Sequence, residues 1–311
     1  MAPITNVEHL TNSLVTAEQL HSLRDDDRSR AGNGQSLRYA QAILTQAAGI
    51  LLRLPQDVIA TSLVLLQRLW VEDYGQGHAA ADLKVIYPPE SLGRRRFSDS
   101  SFQTRSEASI YLSAKLSFTP VSPRSVCNIY AYLLSTSSPL LFINPNPPAI
   151  NPDSSCYYVS EGYYERNREM IFLCESLILN SIGFDTQIAL PHALALTYLQ
   201  ALGVSSEKLA SRVLEHLNSG LLSPQLIYLT HQPNALAVAG IYLAAKEVGV
   251  KMVDGNWWEV FDVEREDLGF LVMAFGSFEG FAKAEKRTWD SGAENLRKLF
   301  KEVDNCYGPM P

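Results

Sequence analysis

Few cysteines, no long apolar run and no excess of positive charge: each shortage in this chain removes a class of protein. The four cysteines, Cys127, Cys156, Cys174 and Cys306, are spread along 311 residues. None stands in the close spacing of a metal knuckle, so they read as reduced, intracellular thiols. No uninterrupted apolar stretch reaches the ~18 residues that a membrane helix needs, and residues 1–6 lack the basic-then-apolar order of a secretory signal. A soluble, unsecreted chain is therefore expected. With 26 Lys and Arg against 33 Asp and Glu, the formal charge is -7. That balance opposes a general nucleic-acid binder, because counterion release requires a basic surface.

Catalytic signatures are also scarce. Gly75-Gln76-Gly77-His78-Ala79-Ala80 has the glycine spacing of a dinucleotide loop, but that loop works only between a strand and a helix, and here a helical stretch precedes it. The histidines His9, His21, His78, His192, His216 and His231 are scattered, without the paired helical spacing of a zinc site. There is no phosphate-binding loop and no nucleophile elbow. The acidic run Asp25–Asp27 reads as a solvated linker. The sequence thus predicts no catalytic residue, no metal site and no cofactor, and the chain is not read as an enzyme.

What the sequence does hold is a repeat. Ser109-Ile110-Tyr111-Leu112-Ser113-Ala114-Lys115 recurs as Gly240-Ile241-Tyr242-Leu243-Ala244-Ala245-Lys246, with five of seven positions identical. Small residues alternating with large ones suit a tightly packed central helix. An offset of about 130 residues is far beyond the 20–50 residue periods of solenoids, so one module is duplicated.

Helical periodicity predicts helices over residues 36–52, 56–72, 106–116, 124–134 and 163–182, then 191–202, 207–218, 234–248 and 265–284, while strand patterns are nearly absent. Gly183 stands where a helix C-cap prefers glycine. The predicted fold is all-α, two tandem modules of five helices each. Residues 1–34 read as a flexible lead-in with one short helix near 16–23. The first module spans 35–188 with inserts near 75–104 and 135–160, the second spans 189–288, and 289–311 is a tail. The first insert carries Arg94-Arg95-Arg96, an exposed basic stretch in an acidic chain.

Two charges lie inside otherwise apolar helical stretches: Lys115 and Glu175. An unpaired charge there would cost several kcal/mol, so both need partners. Either they neutralise one another, with the lysine snorkelling to solvent, or they hold the backbone of another protein's helix, where a lysine donates to helix-end carbonyls.

At these residues the chain resembles the cyclins, over roughly residues 35–284. Lys115 in its Leu-Ser-Ala-Lys context matches the lysine that ends the third helix of the first cyclin box. Glu175 matches the glutamate of the fifth helix, followed by Leu177, Leu179, Phe184 and Asp185. Arg38 falls at the first-helix arginine. Within the family the likeness is greatest to the cyclin L branch, through Ala48-Gly49-Ile50-Leu51-Leu52-Arg53-Leu54-Pro55-Gln56, Ala60-Thr61 and Gln67-Arg68. The resemblance implies two cyclin boxes, nuclear location, and binding and activation of a cyclin-dependent kinase in transcription or pre-mRNA splicing, with spliceosome-associated proteins as further partners. It implies kinase contacts at Lys115, Glu175, Leu116, Leu112, Leu179 and Phe118, and a structural role for Arg38.

The chain departs from the family where Ser117 and Phe118 replace two acidic residues after the lysine, in its long inserts, and in lacking an arginine/serine-rich tail. Two alternatives stay open: another transcriptional cyclin of K, T or C type, or a nucleic-acid-bound adaptor of the transcription factor IIB type, built on the same duplicated fold. The adaptor class carries a basic face and usually a zinc ribbon, which this chain lacks, and direct nucleic-acid binding is not expected.

Overall fold

The structure is a computed structural model that describes residues 11–29, 34–75, 102–135, 137–144, 157–252 and 255–305. Regular structure among the described residues is entirely helical: α1 (Ala17–Ser29), α2 (Gly34–Leu51), α3 (Gln56–Gly75), α4 (Phe102–Leu116), α5 (Pro123–Leu133), α6 (Glu161–Ser181), α7 (Pro191–Ala201), α8 (Glu207–Leu222), α9 (Ile227–Thr230), α10 (Pro233–Val248), a 3-10 turn (Trp257–Phe261) and α11 (Arg265–Asn305). This is the all-α architecture that the periodicity predicts. The chain divides into two compact units, one of residues 17–185 with 284–311, the other of residues 1–16 with 186–283.

Local chemistry sets the helix starts. Ser122, Ser160 and Ser206 are extended N-cap residues whose hydroxyls accept from the backbone N–H of Ser125, Tyr163 and Leu209, satisfying donors that the first turn leaves orphaned. Pro123, Pro191 and Pro233 occupy first-turn positions, where a missing N–H costs nothing. Gly183, at φ 59°, follows the C-cap Ile182 of α6, and Phe184 N–H closes onto Leu179 C=O at 2.8 Å, a left-handed turn that glycine enters without strain.

In the first unit α4 is the central helix, touching α2, α3, α5 and α6. Ala108, Ile110, Leu112 and Ala114 are buried along it, so the alternation of small and large side chains fills a core on all sides. A polar seam crosses this core. Trp70 Nε1–H donates to Gln41 Oε1 at 2.7 Å and Gln41 Nε2–H donates to Phe102 C=O at 2.7 Å. Thr45, Ser106 and Tyr130 form a hydroxyl chain at 2.6 and 2.5 Å. Buried polar groups satisfied in this way select one arrangement of α2, α4 and α5 over sliding alternatives. Arg38 is buried on α2, at 6% exposure.

In the second unit the other copy of the heptapeptide occupies the equivalent place. α10 touches α7, α8, α9 and the 3-10 turn, with Leu236, Val238 and Ile241 fully buried. Tyr198 of α7 stacks on Phe261 of the 3-10 turn at 4.0 Å between centroids. His192 accounts for its place after Pro191 through a 3.0 Å hydrogen bond between Nε2 and Asn218 Oδ1.

The lead-in carries the expected short helix as α1, which continues to Ser29; its Leu23 is buried and it packs on α3. Ahead of α1, Asn12 is held in the second unit by Ala189 and Gln232. At the other end α11 continues well past residue 284, and Trp289, 4% exposed, stacks on Tyr39 and meets Phe142 edge-on in the first unit. Most of the insert near 75–104, with Arg94-Arg95-Arg96 and the glycine pattern after Gly75, lies outside the described residues, as do residues 145–156, Cys156 and Cys306.

Candidate functional site

The site is built on the last turn of α4 and the middle of α6. Lys115 is the basic residue of α4's last turn, where its charge faces the negative end of the helix dipole. Its Nζ donates to Glu175 Oε1 at 2.8 Å. The pair is unequal: the Lys115 side chain is 56% exposed, that of Glu175 only 9%. The glutamate is thus a nearly buried anion satisfied from one side by an ammonium that reaches solvent. The Glu175 hydrogen bond raises the Lys115 pKa, against a smaller downward effect of burial, so the ammonium is charged at every physiological pH.

The pair is one rung of a ladder. Glu107 on α4 accepts from Asn167 Nδ2 on α6 at 3.0 Å, and Lys115 meets Glu175; each pair is separated by 60 residues in sequence. Equal offsets of the same sign require α4 and α6 to run parallel in one register. Between the polar rungs Tyr111 meets Phe172, with ring centroids 5.8 Å apart, and Lys115 Nζ sits 5.8 Å from the Tyr111 ring centre, within cation–π range.

An apolar rim adjoins the ion pair. Leu116 is 55% exposed, Phe172 is 40% exposed and Phe118 is fully exposed. Ser117 turns the chain at the end of α4: its N–H bonds to Ala114 C=O, its hydroxyl donates to the same carbonyl, and it accepts from Thr119 N–H. That turn presents Phe118 outward. Leu179 lies half-buried one turn beyond Glu175. Leu112, which the resemblance also places among the kinase contacts, is 2% exposed and lies with Ala108, Ile110 and Ala114 among the buried residues of α4.

Elsewhere on this unit, Arg68 Nη1 donates to Asp185 C=O at 3.0 Å, with the Asp185 carboxylate 3.8 Å away. Arg68 and Asp185, each similar to the cyclin pattern, are thereby brought together and tie the end of α6 to α3. Sequence reasoning missed Glu107, a fully buried carboxylic acid. Burial raises its pKa to about 7, and hydrogen bonds from Gln103 and Asn167 only partly offset this. A glutamate flanked by Ala108, Ser109 and Ile110 in the repeat helix was the available signal. Among the described residues no group of three or more His, Cys, Asp or Glu side chains could hold a metal ion, and no helix is long and apolar enough to cross a membrane.

A parallel ladder under an apolar rim is thus carried by the central helix of an all-α unit. Comparison with known proteins points to the cyclins. The chain is 28% identical over 278 residues to an uncharacterized cyclin-L1-like protein of Schizosaccharomyces pombe, covering 87% of this chain and 91% of that one. It is 26% identical to the cyclin L homolog cyl-1 of Caenorhabditis elegans over 84% of this chain and 52% of that one, and 26% identical to human cyclin-L2 over 86% and 45%. The chain therefore spans about half the length of these two relatives. A chain of the yeast RNA Pol II CTD kinase CTDK-1 complex shares the fold, with TM-score 0.62 and 14% identity over 97% of this chain and 86% of that one. No protein-family model matches. The protein is cyclin L-like.

Proposed function

We propose that the chain is a regulatory subunit that binds and activates a cyclin-dependent protein kinase acting in transcription or pre-mRNA splicing. The observation that carries this reading is the Lys115–Glu175 bridge at 2.8 Å, open to solvent on the lysine side and adjoined by exposed Leu116, Phe118 and Phe172. An ammonium already oriented by a buried carboxylate, beside apolar side chains, suits the end of a partner's helix: the lysine donates to terminal carbonyls while the rim covers apolar residues of that helix. In a kinase, the regulatory helix that carries the glutamate of the catalytic Lys–Glu pair is such a target, and fixing it sets the activation loop. The chain supplies no catalytic group to the transfer itself. Nuclear residence follows from the role, and spliceosome-associated proteins are further partners.

The test is reconstitution. Purified cyclin-dependent kinase catalytic subunits, with and without the chain, are assayed for peptide phosphorylation. A stable complex with a raised rate supports the reading; no complex with any subunit, or equal rates in a verified complex, overturns it. A salt titration of binding to duplex DNA runs alongside, since a steep slope belongs only to a nucleic-acid-bound adaptor.

A further inference from the structure

We propose that Glu107 is a positioning residue that locks the register of α4 against α6 and so holds Lys115 on Glu175. The inference rests on the reading of the Lys115–Glu175 pair as the docking site, and concerns how that site is kept in shape.

The geometry is specific. Glu107 is 0% exposed, and its two oxygens are divided between two amides: Oε1 accepts from Gln103 Nε2 at 2.7 Å, one turn earlier on α4, and Oε2 accepts from Asn167 Nδ2 at 3.0 Å, across on α6. Asn167 Nδ2 also lies 3.4 Å from Cys127 Sγ of α5, so α4, α5 and α6 meet at this point. Eight residues further along both helices, about 12 Å at the helical rise, stand Lys115 and Glu175. Two parallel helices joined by apolar contacts alone can slide or roll to nearby packings at small cost. With a buried hydrogen-bonded rung they cannot, because any slip strands polar atoms in the core. The outer rung, with a lysine more than half exposed, is too weak to fix the register itself. The inner one does that for it.

The partners are suited to this task. Both are neutral amides, and Gln103 lines an open cleft with Ala131, Leu134 and Tyr163, where its amide has room to turn over. A neutral group at position 107 can therefore keep the rung: Gln103 turns to present its carbonyl, and Asn167 still donates. Charge at position 107 is dispensable, whereas a hydrogen-bonding group of that length is required.

The test reads Lys115 directly, on the whole chain, by carbon-detected titration of labelled lysine side chains, with Lys115→Arg to assign the resonance and Glu175→Gln as the uncoupled reference. Glu107→Ala is expected to lower the Lys115 pKa toward the reference, and Glu107→Gln to leave it near the wild-type value. Should Glu107→Ala fail to fold, Asn167→Ala removes the same rung from the α6 side and is expected to give the same downward shift. A wild-type Lys115 titration in whichever of the two alanine variants folds would overturn the proposal. So would a shift in Glu107→Gln as large as that of the alanine variants. No kinase enters this measurement, so failure of the activating role leaves its result intact.

Discussion

The indole of Trp289 lies stacked on the ring of Tyr39, centroids 5.4 Å apart and planes 19° from parallel, while Phe142 meets its edge at 5.2 Å. A residue read from sequence as the start of a tail thus completes the core of the first unit. Trp289→Ala is expected to destabilise that unit by about 3–5 kcal/mol, the usual loss for a large buried aromatic. Chemical denaturation followed through the Tyr39 side checks it, and a change under 1 kcal/mol would mean that the stack contributes little.

Lys115 and Glu175 replaced together by Ala should leave the fold nearly as stable as before, since the lysine is 56% exposed and such bridges contribute about 0–1 kcal/mol. Kinase affinity should fall by about 2–5 kcal/mol, as when desolvated interface charges are truncated. Phe118→Ala, at a fully exposed side chain, should weaken binding without moving the melting temperature. Calorimetric titration against the reconstituted kinase beside thermal melts separates the two effects.

Stability should depend on pH through Glu107. Its pKa is raised by burial from 4.5 to about 7 in the folded chain, so between those values the folded state holds a proton that the unfolded state has released. Stability from this group is complete below about pH 4.5, is lost as pH rises toward 7, and is flat beyond. At roughly 1.4 kcal/mol per unit the change amounts to a few kcal/mol. The neighbouring Cys127 and Tyr130 both have pKa values raised by burial and titrate above this window. Glu107→Gln should abolish the slope in urea midpoints measured from pH 4.5 to 7.5; an unchanged slope would assign it to another group.

A methyl group at Gly220 would stand 2.5 Å from Phe275 Cε1 and 3.0 Å from Ile227 Cδ1, and one at Gly49 would stand 2.6 Å from Ile59 Cγ1. Both glycines sit inside helices, where alanine is otherwise preferred. The clash should win: each Gly→Ala change is expected to cost about 1–3 kcal/mol, against a gain of about 1 kcal/mol at an open helical site. Gly276→Ala, with nothing within 4 Å, is the control and should stabilise the chain.

Asn12 holds the N-terminal segment to the second unit through a reciprocal pair with Ala189: its Nδ2 donates to the carbonyl and its Oδ1 accepts the N–H, both at 2.8 Å. Gln232 closes the other side, accepting from Asn12 N–H at 2.9 Å and donating to its carbonyl at 3.0 Å. Asn12→Ala should cost about 1–3 kcal/mol, because the Ala189 backbone groups lose their partners. Hydrogen exchange at Ala189 should rise in the variant, and unchanged protection would show that water replaces the side chain at no cost.

Much of this was legible in the residues. The duplicated heptapeptide marks α4 and α10 as central helices, because only alternating small and large side chains fill space on every side of a helix, and that requirement is local to the sequence. Lys115 and Glu175 stood out for the same kind of reason, being charges in apolar surroundings that demand partners. The burial of Leu112, at 2% exposure, was not legible there, because position along a helix does not say which of its side chains the neighbouring helices cover.

By itself, then, the sequence determined the helical class, the duplication and the charged pair, all properties of short windows or of a direct match between two of them. Only the tertiary structure decided that Trp289 fills the first unit, that Asn12 fastens the second, and that Glu107 and Asn167 repeat the 60-residue offset of Lys115 and Glu175. Those contacts join residues distant in the chain, and their energy comes from burial and from satisfied polar groups, which exist only once the helices have met.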